Sequence, residues 1–233
     1  MASFSCKIMA LVLVLSLVSS SAELQKLEHS IKNDGSLSLL VIGDWGRKGE
    51  FNQSQVATQM GRIGEELDID FVVSTGDNFY DSGLTGVDDK AFEESFTNNL
   101  DSALKESRAT WKVVVGHHTI RSVSIHRDTK ELLSSLLPIL KTHGVDLYVN
   151  GHDHCLEHIS SNESPIQYLT SGGGSKSWRG VFNSNTDKLR FFYDGQGFMS
   201  LQLTKTVAQV VFYDAFGSVL HKWSVTKELH SSM

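Results

Sequence analysis

Apolar residues fall along this chain in two spacings. Short runs rich in Leu, Val and Phe, at Ser36–Ile42, Phe71–Ser74, Lys112–Val115 and Val145–Val149, have the length and composition of strands buried on both faces. Between them the apolar positions step by three or four. Val56, Met60, Ile63 and Leu67 form one stripe and Phe92, Phe96, Leu100 and Leu104 a second, each on a single helical face. A third helix is expected over Asp128–Thr142, with Leu132, Leu133, Leu136, Ile139 and Leu140 as its apolar face. Asp128 would cap it, Gly144 end it and Pro138 kink it. Strand alternating with helix is the pattern of an α/β sheet with crossover helices.

From about Pro165 the texture changes. Met199, Leu201 and Leu203 alternate with polar residues, Val207–Tyr213 is a further β-rich run, and Ala215–Gly217 supplies a turn before Ser218–Val225. These features predict antiparallel hairpins forming a second sheet on the same core. No linker separates a further domain and no solenoid repeat is present, so residues 23–233 read as one domain.

The N-terminus carries a different signal. Met1–Lys7 has one positive charge, Ile8–Val18 is apolar and Ser19–Ala22 is small, the layout of a secretory signal peptide over residues 1–22. The apolar run is shorter than the roughly 18–20 residues of a spanning helix, so an exported chain without a membrane anchor is expected. Of 233 residues, 40% are hydrophobic and 21% charged, which excludes a disordered chain. Twenty-seven acidic residues outweigh 21 basic ones and no Lys/Arg run occurs, which argues against nucleic acid or an anionic membrane surface as partner. Cys6 leaves with the leader and Cys155 then stands alone, so the core has no intramolecular disulfide. Asn52-Gln-Ser54 and Asn162-Glu-Ser164 are glycosylation sequons, compatible with export.

The chemistry is concentrated where the early strands stop. Each runs into glycine and then a metal-capable side chain: Ile42-Gly43-Asp44, Thr75-Gly76-Asp77, Val115-Gly116-His117 and Asn150-Gly151-His152. In α/β sheets ligands bind at the carboxyl edge of the strands, and glycine lets the chain turn there. Tyr80, His118 and His154 lie close by in sequence, and carboxylate, imidazole and phenolate together suit first-row transition metals. Two cations ~3.5–4 Å apart, bridged by Asp77, would clamp a phosphoryl group and acidify a water. One Gly-Asp is usually a turn and one His-x-His is usually solvated or packed; four in register at four strand ends are not explained as turns. His29, His143, His158, His221 and His230 lack that context and read as structural. Gly172-Gly173-Gly174 reads as a flexible loop rather than a phosphate cradle, since no helix signal follows it. Trp45 and Trp178 are equally compatible with packing and with pocket walls.

Taken together, Gly43-Asp44-Trp45-Gly46, Gly76-Asp77-Asn78-Phe79-Tyr80, Gly116-His117-His118 and Gly151-His152-Asp153-His154 resemble the metallophosphoesterase superfamily. More narrowly they resemble the low-molecular-weight plant purple acid phosphatases. The resemblance implies an α/β (α+β) fold, a four-layer αββα sandwich, and a secreted enzyme of the extracellular space, cell wall or vacuole that hydrolyses phosphate monoesters. It implies Fe(III) on Asp44, Tyr80, His154 and Asp77, and a divalent ion (Zn, Mn or Fe) on Asp77, His117 and His152. His126, nine residues after His117, matches a histidine that contacts phosphate or donates a proton. One family block is missing: a Gly-Asn-His-Asp/Glu segment between the second and third motifs has no counterpart, and the chain runs directly from Phe96-Thr97-Asn98 into Asn99-Leu100-Asp101. The sandwich is therefore expected to be truncated by an internal deletion. The vacant ligand position would weaken the divalent site, and the lost imidazole would cost about 10²–10³ in rate. The alternative function is a catalytically inactive protein that binds metal or phosphate. Asn78, Asn98, Asn99 and Asn150 offer no convincing substitute for the missing asparagine.

Overall fold

The computed structural model describes residues 29, 32–44, 51–77, 104, 105, 107, 109–185 and 187–228. The proposed leader, Trp45, Tyr80 and nearly all of the Phe92–Leu104 stripe lie outside the described residues. The elements run β1 (Leu37–Ile42), α1 (Gln53–Leu67), β2 (Phe71–Ser74), β3 (Val113–Val115), α2 (Lys130–Ser135), α3 (Leu137–Thr142), β4 (Leu147–Asn150), β5 (Leu156–Ser160), β6 (Gln167–Ser171), β7 (Lys188–Tyr193), β8 (Gly197–Leu203), β9 (Val207–Asp214) and β10 (Val219–Thr226).

They form two five-stranded sheets, ordered β10-β9-β8-β1-β2 and β3-β4-β6-β5-β7. The continuous apolar runs belong to strands covered on both sides. Leu39 and Val41 of β1 face the second sheet, whereas Leu40 and Ile42 face α1. Leu147 and Val149 of β4 share that inter-sheet layer, while Tyr148 turns outward to Leu132, Leu136 and Leu140 of the α2–α3 pair. Helix, sheet, sheet, helix is the αββα order. On α1 the buried residues are Val56, Met60, Ile63 and Gly64; a Cβ on Gly64 would meet the Ile69 side chain at 3.1 Å, so glycine there lets the helix seat closely against the turn that follows.

Five expectations are corrected. The late hairpins do not make a sheet of their own: β8 pairs antiparallel with β1, from Leu37↔Leu203 to Val41↔Met199, so the four Gly-ended strands are shared between two sheets. The span Asp128–Thr142 is two short helices that meet at Leu136, with Pro138 in the first turn of the second, where its missing N–H costs nothing. Asp128 caps neither, because its carboxylate accepts from Arg121 and from the Ser122 N–H. The fourth run becomes a strand only from Leu147, because the Val145 N–H is still committed to the end of the preceding helix, at Leu140 O, and the Asp146 N–H to Lys112 O begins the pairing with the neighbouring strand. In addition β2, at the end of its sheet, is covered on one face only, with Phe71 and Val73 in the inter-sheet layer and Val72 50% exposed. Among the described residues no helix is long and apolar enough to cross a membrane.

Candidate metal centre

Parallel pairing places the strand ends side by side. β1 and β2 finish level, Ile42 opposite Ser74, and β3 and β4 finish level, Val115 opposite Val149. Asp44 N–H donates to Gly76 O at 3.1 Å within the first sheet, and the two ends are tied across the gap between sheets, with Ser171 Oγ donating to Val41 O at 2.9 Å and Gly174 N–H to Gly43 O at 3.2 Å. From the other sheet, His117 Nδ1 lies 3.0 Å from Thr75 O and His152 N–H donates to Asp44 Oδ2 at 2.8 Å. Asp44, Asp77 and His152 all have positive φ, at 57°, 49° and 66°. At three of the four strand ends the turn thus falls on the chemical residue itself and not only on the glycine before it, and such backbone strain clusters at functional sites.

The side chains meet. Asp44, Asp77 and His154 each offer a donor atom, all within 4.8 Å of one another. His117 Nε2 is 3.4 Å from Asp77 Oδ1, and His152 Nδ1 is 3.3 Å from His117 Nε2. Since a carbonyl oxygen only accepts, the proton of His117 sits on Nδ1, and Nε2 turns a lone pair toward a carboxylate oxygen that is also an acceptor. Beside it, Asp44 Oδ1 is fully buried, receives no hydrogen bond among the described residues, and lies 3.5 Å from His154 Nε2. The His117 lone pair and the Asp77 carboxylate repel unless a cation lies between them, a buried carboxylate oxygen without a donor calls for the same partner, and the donor set of carboxylates and imidazoles suits a transition metal. The residues therefore fit the group that their chemistry implies. His126 joins the same cluster, its ring stacked on His152 at 4.0 Å, and His118 lies 4.2 Å from His152. Burial, followed by the neighbouring imidazoles of His118, His126 and His117, pushes His152 down to about 3, and burial with His117 and His126 lowers His118. Both rings are held neutral, the form that binds metal.

Of the residues singled out from sequence, Asp44, Asp77, His117, His126, His152 and His154 come together here. Tyr80 lies outside the described residues. Asn150 does not join, because its amide turns into the protein and donates to Gly151 O and Thr170 Oγ1. The sequon asparagines Asn52 and Asn162 are exposed. Trp178 is a wall: its ring stacks on His154 at 4.0 Å and 5° and meets His126 edge-on at 5.1 Å. Asp153, between the two loop histidines, was legible only as a spacer, yet it is buried and bound to His126.

The glycine run is not a flexible loop. Gly172, Gly173 and Gly174 are buried, with Gly172 N–H on Cys155 O at 3.0 Å and Gly173 O receiving Gly197 N–H at 2.9 Å. A Cβ on Gly172 would overlap the Asp153 carbonyl oxygen and stand 3.0 Å from Asp44 Oδ2. Gly172→Ala is therefore expected to destabilise the fold by about 1–3 kcal/mol, since rigid backbone must give way, and to loosen metal at Asp44; chemical denaturation and metal content per chain check both.

Comparison with known proteins follows from this geometry. A family model described as calcineurin-like phosphoesterase matches residues 84–156, which end in the loop of His152 and His154. The chain is 44% identical to purple acid phosphatase 4 of Arabidopsis thaliana, over 303 aligned positions that take in 90% of this chain and 89% of that relative. Among solved structures it resembles GAP50, the anchor in the inner membrane complex of Plasmodium, with a TM-score of 0.72 at 21% identity, covering 83% of this chain and 90% of that one. It also resembles purple acid phosphatase PPD1 from yellow lupin seeds, with a TM-score of 0.61 at 11% identity, covering 84% of this chain and 55% of that one. These two likenesses are of fold.

Proposed function

Because this chain belongs to the purple acid phosphatase family, we propose that it is a secreted phosphate monoesterase whose strand-end cluster holds Fe(III) together with a divalent Zn, Mn or Fe ion. The observation that carries this reading is the convergence of Asp44, Asp77 and His154 within 4.8 Å, with His117 on Asp77 and His152 on His117. In it Asp44, Tyr80, His154 and Asp77 would hold Fe(III), and Asp77, His117 and His152 would hold the divalent ion. Bound there, the cations supply Lewis acidity toward the phosphoryl oxygens and a water acidified toward neutral pH. The chain's own residues do the rest. Asp44 and Asp77 set the charge of the site, Trp178 walls it beside His154 and His126, and His126 reaches the leaving oxygen, giving it a proton, or contacts the phosphate. Residues 1–22 are the leader, residues 23–233 the single domain, and Asn52 and Asn162 the glycan acceptors, exposed as acceptors must be.

A second reading, an inactive metal- or phosphate-binding form, is favoured by one observation. The match to the Arabidopsis relative extends over 303 positions, more than the 233 residues of this chain, so the relative carries positions that this chain lacks. On this reading the Gly-Asn-His block is among those positions, and its loss would lower divalent affinity and turnover. One preparation distinguishes the readings. Purified protein is expected to contain iron and to absorb visible light through a tyrosinate–Fe(III) transition that Tyr80→Phe abolishes. Turnover of an aryl phosphate then marks the enzyme, and iron without turnover marks the binder. A colourless protein free of iron would overturn the first reading, and one that binds neither metal nor phosphate would overturn the second.

A further inference from the structure

The loop that carries His126 is braced from behind by a buried polar chain. One oxygen holds the residue at two points: its backbone N–H donates to Asp153 Oδ1 at 3.2 Å, and its Nδ1 lies 2.7 Å from that same atom. A carboxylate oxygen accepts, so Nδ1 carries the proton and Nε2, on the far side of the ring, is left to the open side of the site. The His126 side chain is 39% exposed and that of Asp153 is 0% exposed, so the carboxylate lies beneath an imidazole that opens outward. His152 stacks on the ring at 4.0 Å and Trp178 meets it at 5.1 Å, which restricts its rotation.

The second oxygen of Asp153 accepts from the Ser122 hydroxyl. Ser122 Oγ in turn receives the Ser124 N–H at 2.9 Å. Asp153 thus accepts from Ser122 on one oxygen and from His126 on the other, and the two donors fix the carboxylate between them.

We propose that Asp153 is a positioning residue, whose buried carboxylate, braced by Ser122, fixes the ring of His126 with its proton on Nδ1 and Nε2 turned to the phosphoryl position. What Nε2 does there rests on the phosphatase reading; the ring setting does not. Two measurements separate the two. In zinc-loaded, histidine-¹⁵N-labelled protein, which is diamagnetic, His126 is identified by the signal that His126→Gln removes. A persistent Nδ1–H is expected at neutral pH, lost in Asp153→Ala and, should that variant not fold, weakened in Asp153→Asn. An unprotonated Nδ1 in the unaltered protein overturns the proposal without need of any variant. In the second measurement, made at acid pH so that the ring carries a proton on Nε2 as well as on Nδ1, Asp153→Ala is expected to lower kcat at least about tenfold more for an alkyl phosphate, whose leaving group needs a proton, than for 4-nitrophenyl phosphate, whose leaving group does not. Equal losses on both substrates would reduce Asp153 to a structural role and overturn the proposal. If the unaltered protein turns over neither ester, the phosphatase reading fails and the Nδ1–H signal alone decides the positioning.

Discussion

Asp77→Asn is expected to leave a folded protein that has lost its metal, with affinity down by at least about 100-fold and any ester turnover down by about 10²–10³ or more. The fold should survive because Asp77 sits at φ 49°, a left-handed conformation that asparagine tolerates as well as aspartate does. The side chain is 36% exposed, so the new amide can be hydrated. What disappears is specific to the site. Asp77 lies between two sets of groups, His117 at 3.4 Å on one side and the Asp44–His154 group within 4.8 Å on the other. Only a carboxylate offers two anionic oxygens to both. An amide leaves one neutral oxygen and directs N–H bonds at the cluster, where a cation would lie. Metal per chain, aryl phosphate turnover and a thermal melt measure the three expectations together. Undiminished metal in a folded Asp77→Asn protein would remove Asp77 from the ligand set, and a variant that fails to fold would show that the carboxylate serves the turn rather than the ion.

The candidate site was legible from sequence because its signal is local. A strand, a glycine and a ligand are contiguous, and four such units needed only parallel pairing in twos and the packing of the two sheets to bring Asp44, Asp77, His117 and His152 to one edge. The assignment of strands to sheets was not legible, because pairing is decided far along the chain. Alternation at Met199, Leu201 and Leu203 is the same whether β8 completes the sheet of β1 or founds another, and only packing of both sheets on one layer selects the first. Asp128 reads as a helix cap because a cap needs nothing but proximity in sequence. Its carboxylate went instead to Arg121 and the Ser122 N–H, with Asn185 Nδ2 joining at 2.8 Å from far down the chain. The Gly172–Gly174 run was misread for a related reason: glycine reports that no side chain fits, whereas whether solvent or the back of a site fills the space is settled by other segments. Asp153 is plain in sequence as part of Gly151-His152-Asp153-His154, but its role is not, since its partner His126 lies on a separate loop.

A pH dependence of stability with opposed arms is expected from two adjacent residues of β5. Burial pushes Glu157 from 4.5 up to about 8 and His158 from 6.5 down to about 4. Glu157 binds a proton more tightly in the folded chain, so its contribution is complete below about pH 4.5 and is lost as pH rises to about 8, at most about 5 kcal/mol at 1.36 kcal/mol per unit. His158 is the reverse case. It is wedged between the sheets, with Gln167 Oε1 at 2.9 Å from Nε2, His221 Nε2 at 3.2 Å from Nδ1 and the Trp223 ring 5.2 Å away, and Arg190 also opposes its charge. Nε2–H donates to the amide oxygen, so Nδ1 must accept from His221, and a proton there would face another donor. Its contribution is complete above about pH 6.5 and is lost as pH falls to about 4, at most about 3 kcal/mol. Between about pH 4.5 and 6.5 the arms offset each other, which leaves a plateau in the mildly acid range. Glu157→Gln keeps the shape and cannot ionise, so its stability relative to the unaltered protein should climb steadily from pH 4.5 to 8. For His158→Gln the relative stability should climb instead as pH falls from 6.5 to 4. Denaturant unfolding of each pair at equal metal loading cancels every other titrating group, and a difference independent of pH would mean that the buried carboxyl or imidazole is solvated after all.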